Sequence, residues 1–226
     1  MMKPRITDDI KKDFRRTIEE IIRRLNRRDL RREEIIRRSR EIIRCSGRLT
    51  AQIVSEGYSD ANDILNRLRE CEKNVIELLN YYEEDPDLVR GGVSLQAFIE
   101  FCEASYLAHI LYGSESLCNL NKKMPEEAII LGILDATGEL KRMAINALGR
   151  FDIDDAEDML NLMREIYNIL SGTDYPDPLV PGYKHKIDVL RRNIEDLEAL
   201  LSDMKTRKRI IDLFYEKSDL DNFSNT

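Results

Sequence analysis

Two pairs of acidic residues lie inside the most apolar stretches of this 226-residue chain. Glu100 and Glu103 occur in LQAFIEFCEASY, and Asp135 and Glu139 occur in IILGILDATGEL. A buried carboxylate must be protonated, paired with a cation or bound to a metal, because an unpaired buried charge is costly. Oxygen ligands suit Mg²⁺, with Mn²⁺ as the alternative, better than they suit zinc or copper. The pattern therefore predicts a divalent-metal site and an enzyme.

The spacing within each pair puts both acids on one face of a helix. Residues three apart lie about 60° from each other around the axis, and residues four apart about 40°. If the two helices pack together, the acidic faces can meet around one ion. Such an ion can polarise a phosphate and orient water for in-line attack. The alternative is that the acids face solvent and pair with bases such as Lys141 and Arg142.

Other motifs of catalysis are missing from the sequence. His109 follows Glu103 by two turns, which leaves open a hydrogen-bonded core residue or a group that supports the acidic site. There is no pair of Glu-x-x-His motifs of the di-iron type, no P-loop and no G-x-S-x-G. The four cysteines are widely spaced and form no C-x-x-C, which predicts free thiols in a reducing compartment. They are Cys45, Cys71, Cys102 and Cys118.

A dense arginine series precedes the acidic helices. Residues 1–48 contain 17 Lys and Arg against 9 Asp and Glu, whereas the rest contains 19 and 34. The planar guanidinium suits phosphate, so we expect contacts with a nucleic-acid backbone. The alternative is a solvated helix surface with exposed ion pairs. The predicted contact residues are Arg23, Arg24, Arg27, Arg28, Arg31, Arg32, Arg37 and Arg38, and the series continues through Arg40, Arg44 and Arg48.

Helical periodicity extends through nearly the whole chain, and we expect one all-α domain over residues 1–226. The low content of Gly and Pro favours the all-helical prediction. The lack of a long apolar run predicts no membrane span, and the lack of a signal-like start predicts a cytoplasmic protein. Long apolar-striped helices predict an elongated subunit that needs a partner's helix. The seven expected helices span residues 10–25, 30–57, 60–82, 94–112, 125–148, 152–170 and 183–214, with a break at 26–29, an arginine-rich region over 5–57 and a frayed tail at 215–226.

The motifs resemble the translin and translin-associated factor X family. The likeness is carried by SLQAFIEFCEA from Ser94, with His109 downstream, and by LDATGELKRMAINAL from Leu134, followed by FDID from Phe151. The segment RRSREIIRCS is similar more loosely, and so is the late helix at residues 197–207. The resemblance covers nearly the whole chain and its second motif is fairly specific.

The resemblance implies a translin-type seven-helix bundle that assembles into a hollow octameric barrel with RNA inside. The factor X branch is implied to be a Mg²⁺-dependent endoribonuclease that cuts single-stranded RNA. Glu100, Glu103, Asp135 and Glu139 fall on its acidic positions, whereas translin has apolar residues at the first three. By this likeness Glu100, Glu103 and Asp135 hold the metal, and Glu139 completes its shell or orients water as a base.

The sequence also departs from the family pattern. An acidic segment at residues 83–88 stands where translin has a basic, His-rich one, which shifts the expected RNA contact to the arginine helices. The expected partners are single-stranded RNA or single-stranded DNA, together with copies of this chain or a translin-like subunit. Two alternatives stay open, a non-catalytic translin-like scaffold that binds RNA or single-stranded DNA, and an all-helical nucleotide pyrophosphohydrolase.

Overall fold

The computed structural model describes residues 7–56, 61–89, 92–115, 120 and 122–223, with residues 215–223 as backbone only. Every regular element in these ranges is an α-helix, which confirms the all-α prediction, and no described helix is long and apolar enough to cross a membrane. The seven helices found within these described ranges are α1 (Asp8–Glu56), α2 (Ala61–Glu84), α3 (Pro86–Val89), α4 (Gly92–Tyr112), α5 (Glu126–Gly149), α6 (Ile153–Leu170) and α7 (Tyr183–Phe223).

Helix α1 is continuous over 49 residues, so the predicted break at residues 26–29 is wrong. That segment contains Asn and Asp but neither Gly nor Pro. An Asn or Asp inside a helix costs only about 0.7 kcal/mol or less relative to Ala. Residues 8–33 are exposed, and packing against the rest of the chain begins at about Glu34. The first half of α1 therefore extends from the body of the subunit.

The other helix boundaries agree closely with the periodicity, with three differences. The expected connection after α2 contains the short helix α3, which has proline at its first position, as helix starts favour. Helix α5 runs through Gly149, one residue beyond its expected end at residue 148. Helix α7 continues in backbone to Phe223, beyond the expected start of the tail at residue 215. Asp152, where this helix was expected to start, caps α6 by accepting a hydrogen bond from the Asp155 amide at 3.3 Å.

Helices α1 and α2 pack antiparallel. Arg31 pairs with Glu84 at 2.7 Å at one end of the interface, and Gln52 donates to Asp63 at 3.1 Å at the other. Residue numbers therefore rise along α1 as they fall along α2.

A disulfide joins Cys45 of α1 to Cys71 of α2, so the predicted free thiols at these two positions are wrong. Antiparallel packing brings their Cα atoms to 5.9 Å although they are 26 residues apart in sequence. Cys102 is free and buried in α4, whereas Cys118 lies outside the described residues. The disulfide removes the support that the cysteines lent to a reducing compartment.

Helix α4 is the centre of the fold. It contacts α1, α2, α3 and α5, and apolar side chains such as Phe98, Phe101 and Leu107 are fully buried around it. Helices α6 and α7 cover the other side of α5. Lys141 of α5 binds Asp196 of α7 at 2.7 Å, which ties those two helices together. The two acid-bearing helices, α4 and α5, are thus neighbours in the middle of the subunit.

Candidate metal centre and nucleic-acid interface

Gly132 lets α4 and α5 approach closely beside the acids. A Cβ atom at this position would lie 2.5 Å from Cys102 Cβ, 2.8 Å from the Ile99 carbonyl oxygen and 3.0 Å from the Glu103 amide nitrogen. No real side chain tolerates such distances, so only glycine fits this contact. Asp135 lies one turn after Gly132, so the close contact brings its carboxylate near α4.

The four predicted carboxylates gather around Glu103. Burial above all, and after it the charges of Glu100, Asp135 and Glu139 in that order, raise the pKa of Glu103 to about 8. The ammonium of Lys186 opposes these effects and lowers that pKa. All four acids are partly buried, so they neither enter the core completely nor face open solvent. The structure therefore brings the two sequence-predicted pairs into one acidic site.

Two acids of the site have partners on their own helices. Gln96 donates to Glu100 at 2.9 Å. Arg142 Nε lies 3.0 Å from Glu139 Oε2 in an ion pair. That oxygen is nevertheless buried and accepts no hydrogen bond from any described residue. The partner of Glu139 Oε2 is thus the Arg142 guanidinium in an ion pair, without a well-aligned hydrogen bond.

Asp135 is paired across the fold with Lys186, the fourth residue of α7. Both side chains are about three-tenths exposed. No sequence pattern marks Lys186, because it lies 51 residues from Asp135 and belongs to a YKHK segment with no distinctive spacing. Its role follows only from the packing of α7 against α5.

The donors of this site fit a hard divalent cation in kind and number. Carboxylate oxygens are the ligands that Mg²⁺ prefers, and Glu139 Oε2 is buried and makes no hydrogen bond beyond its ion pair with Arg142. Among the described residues, however, no three acidic, histidine or cysteine side chains are arranged to hold one ion. A bound cation would require side-chain rotation and release of Asp135 from Lys186.

His109 lies away from the acidic site. Six residues separate it from Glu103, which places the two side chains about 120° apart around α4. Its Nδ1 lies 2.5 Å from the Ser114 carbonyl oxygen at the end of the helix. The imidazole therefore supports the end of α4, and the contact with Ser114 does not match the predicted supporting role at the carboxylates.

Five of the eight arginines predicted to contact nucleic acid are already in ion pairs. Arg28 binds Asp85 at 3.4 Å and Arg31 binds Glu84 at 2.7 Å, so part of the acidic segment at residues 83–88 neutralises α1. The other three paired arginines are Arg32 with Glu33, Arg37 with Glu34 and Glu41, and Arg38 with Glu34 and Glu77.

The remaining arginines of α1 are better placed to meet a polyanion. Arg23 donates to the Glu19 carbonyl at 3.3 Å, and Arg24 and Arg27 form no ion pair with a described residue. Further along α1, three more arginines form no ion pair with a described residue. They are spaced four residues apart, so they lie along one exposed stripe of the helix. The members of this stripe are Arg40, Arg44 and Arg48. These three lie in the arginine series of the sequence but were not among the eight predicted contact residues.

Comparison with known proteins decides the family. The translin family model matches residues 30–208, which is most of the chain and includes both acid-bearing helices. The chain belongs to the translin family. This assignment confirms the resemblance, and it agrees with the all-helical architecture described above.

The relatives are consistent with that assignment. The chain is 29% identical to the uncharacterized protein MJ0175 of Methanocaldococcus jannaschii over 197 residues, covering 84% of this chain and 85% of that protein. It is also 29% identical to mouse translin-associated protein X over 97 residues, covering 40% and 33% respectively.

Solved structures share the fold. The crystal structure of AfC3PO and the structure of AfC3PO with duplex RNA each match with a TM-score of 0.75 and 28% identity. The match covers 84% of this chain and 97% to 98% of the other. Apo-NeC3PO matches with a TM-score of 0.68 at 16% identity, which concerns the fold alone.

Proposed function

We propose that this translin-family chain is a Mg²⁺-dependent endoribonuclease that cuts RNA inside an oligomeric barrel. The observation that carries the proposal is the gathering of four carboxylates from α4 and α5 around Glu103. A family relative is translin-associated protein X, and a similar structure contains AfC3PO bound to duplex RNA. The duplex RNA bound in the AfC3PO complex supports RNA as the ligand class.

In this proposal the four acids have different roles. Glu100, Glu103 and Asp135 would hold the ion, which when bound would polarise the scissile phosphate and make water more acidic. Glu139 has a buried oxygen without a hydrogen bond, so it can accept a proton from the attacking water. As the water oxygen forms its bond to phosphorus, the bond from phosphorus to the leaving sugar oxygen breaks. Arg142, 3.0 Å from Glu139, keeps that carboxylate oriented.

The unpaired arginines of α1 would hold the RNA backbone. Arg40, Arg44 and Arg48 form one exposed stripe, and Arg24 and Arg27 lie nearer the helix start. Contacts of guanidinium groups with phosphates carry no base readout, so we expect binding with little sequence preference. Affinity should fall steeply with salt, because each phosphate contact releases a condensed counterion. Binding to single-stranded DNA would follow from the same contacts.

Assembly is proposed from the apolar surface that one subunit leaves exposed. The first half of α1 carries seven large apolar side chains at 42% to 73% exposure. Helix α7 exposes another apolar group close to its end, including Leu213 and Phe214. A second subunit packed on these stripes would bury them. An octameric barrel would supply that subunit, either as a copy of this chain or as a translin-like partner. The exposed residues of α1 are Ile10, Phe14, Ile18, Ile21, Ile22, Leu25 and Leu30.

Cleavage of labelled RNA, single-stranded and duplex, with Mg²⁺ and with EDTA tests the proposal. Wild type should cut only with Mg²⁺, and Glu103→Gln should abolish cleavage while RNA binding and folding persist. Glu126→Gln, at the exposed start of α5, is the matched control and should cut normally. Cleavage in EDTA, or by Glu103→Gln, would refute a carboxylate-held metal.

A non-catalytic scaffold is the second candidate, favoured by the Lys186 contact that occupies Asp135. It predicts RNA binding by wild type and Glu103→Gln alike, without cleavage under any metal condition. The family assignment disfavours the nucleotide pyrophosphohydrolase alternative, which a panel of nucleoside triphosphates tests directly.

A further inference from the structure

We propose that Lys186 is the internal counterion of the acidic site and that a divalent cation binds by displacing its ammonium from Asp135. Lys186 would then set how tightly the site takes a metal. The inference rests on the proposed function in one respect, that the acidic site takes a divalent cation.

The base of α7 holds Lys186 firmly. Three residues earlier, Tyr183 is 1% exposed, and its hydroxyl donates to the Leu170 carbonyl at 3.1 Å and lies 2.6 Å from Thr173 Oγ1. The Lys186 amide bonds the Gly182 carbonyl at 3.1 Å, within the first turn of the helix. Because the backbone is anchored at the start of this turn, the direction of the lysine stem toward α5 is built into the fold.

The charge balance explains why an ammonium belongs there. Glu100, Glu103, Asp135 and Glu139 repel one another, and Lys186 lies across the fold as a base that offsets this repulsion at Glu103. Its pair with Asp135 is only about three-tenths exposed, so screening by water is incomplete. Even with Glu103 protonated, the other three carboxylates outnumber the two cations beside them, Lys186 and Arg142, which leaves a net negative site able to attract a divalent ion.

The ammonium and the metal compete for the same carboxylate. Hydrogen bonding to Lys186 occupies an Asp135 oxygen that a metal would need. Two cations beside one partly buried carboxylate repel each other, so metal binding favours release of the lysine. The flexible four-carbon stem allows that release without movement of α7. Only a cation of higher charge density than an ammonium, such as Mg²⁺ or Mn²⁺, gains enough to displace it.

Lys141 provides a matched control. It also reaches from α5 to α7, binding Asp196 at 2.7 Å and Asn193 at 3.1 Å, but it does not act on Glu103. Replacing either lysine by Met removes one tie between the same two helices. Only Lys186→Met also removes the cation from the acidic site.

The test is titration of the full chain with Mn²⁺, without RNA, by calorimetry at neutral pH and low salt. Lys186→Met should bind Mn²⁺ roughly tenfold more tightly than wild type, because the competing charge is gone. Lys141→Met should match wild type. Adding Asp135→Asn to Lys186→Met should remove the gain, since the lysine acts through that carboxylate. If Lys186→Met does not fold, Lys186→Gln serves in its place.

The outcomes separate the two proposals. Unchanged or weaker Mn²⁺ affinity in folded Lys186→Met, compared with Lys141→Met, would overturn the counterion role and leave the metal site standing. A purely structural tie predicts that result, with a lower melting temperature in both lysine variants. Absence of Mn²⁺ binding in wild type and every variant would refute the metal site itself, and the counterion role with it.

Discussion

Replacement of Gly132 by alanine tests the close contact on which the acidic site depends. The added methyl group would meet Cys102 Cβ at 2.5 Å, the Ile99 carbonyl oxygen at 2.8 Å and the Glu103 amide nitrogen at 3.0 Å. Two of these three atoms belong to the α4 backbone, which cannot rotate away as a side chain does. The helices must therefore separate, and Glu103 and Asp135 must separate with them.

The magnitude follows from two opposing effects. Overpacking a well-filled contact costs about 1 to 3 kcal/mol, whereas glycine to alanine in a helix gains about 0.5 to 1 kcal/mol. We expect Gly132→Ala to lose about 1 to 2 kcal/mol of unfolding free energy. Gly138→Ala lies on the same helix with nothing within 4 Å of the added Cβ, so it should gain about 0.5 to 1 kcal/mol.

Urea unfolding followed by far-UV circular dichroism measures the free energy of unfolding of both variants and of wild type. Thermal unfolding gives their melting temperatures. The melting temperatures of the two alanine variants should differ by about 5 to 10 °C, given about 2 to 4 °C per kcal/mol for a chain of this size. In the cleavage assay the rate of RNA cleavage by Gly132→Ala should fall roughly tenfold or more, since small displacements of catalytic groups slow the reaction strongly. If Gly132→Ala were as stable as Gly138→Ala, the inferred helix contact would be incorrect.

Three further predictions concern charge and cross-linking. In EDTA, wild type should lose about 1 to 2 kcal/mol of stability between pH 5 and pH 9, a value discounted for partial exposure of Glu103. The unfolded carboxyl releases its proton near 4.5 and the folded one near 8, so rising pH favours unfolding; an equal pH slope in Glu103→Gln urea titrations would contradict this. Reduction of the Cys45–Cys71 disulfide should lower the free energy of unfolding by about 3 kcal/mol. Dithiothreitol should therefore lower the melting temperature of wild type but leave that of the double Cys→Ser variant unchanged. Arg44→Ala should weaken RNA binding and lower the salt slope by about 1, whereas Arg31→Ala, whose guanidinium is held by an acid, should do so less; equal losses in filter binding would contradict the assignment.

The sequence by itself determined the helical class, most helix boundaries and the pairing of acids on shared helix faces. These properties depend on interactions between residues three or four apart, which the order of residues specifies directly. Glu100 with Glu103, and Asp135 with Glu139, could therefore be assigned to two faces before any packing was known. The break expected at residues 26–29 failed because polar residues weaken a helix only slightly, and no glycine or proline stops it there.

Only the tertiary structure decided which distant groups share an environment. Lys186 reaches Asp135 across 51 residues, and Cys45 meets Cys71 across 26, because helices pack side by side. Likewise the contact of α2 with α1 occupies Arg31, which the sequence alone left available for phosphate. Local periodicity gives the direction of each side chain around its own helix, but contacts between helices depend on how the whole core fills space.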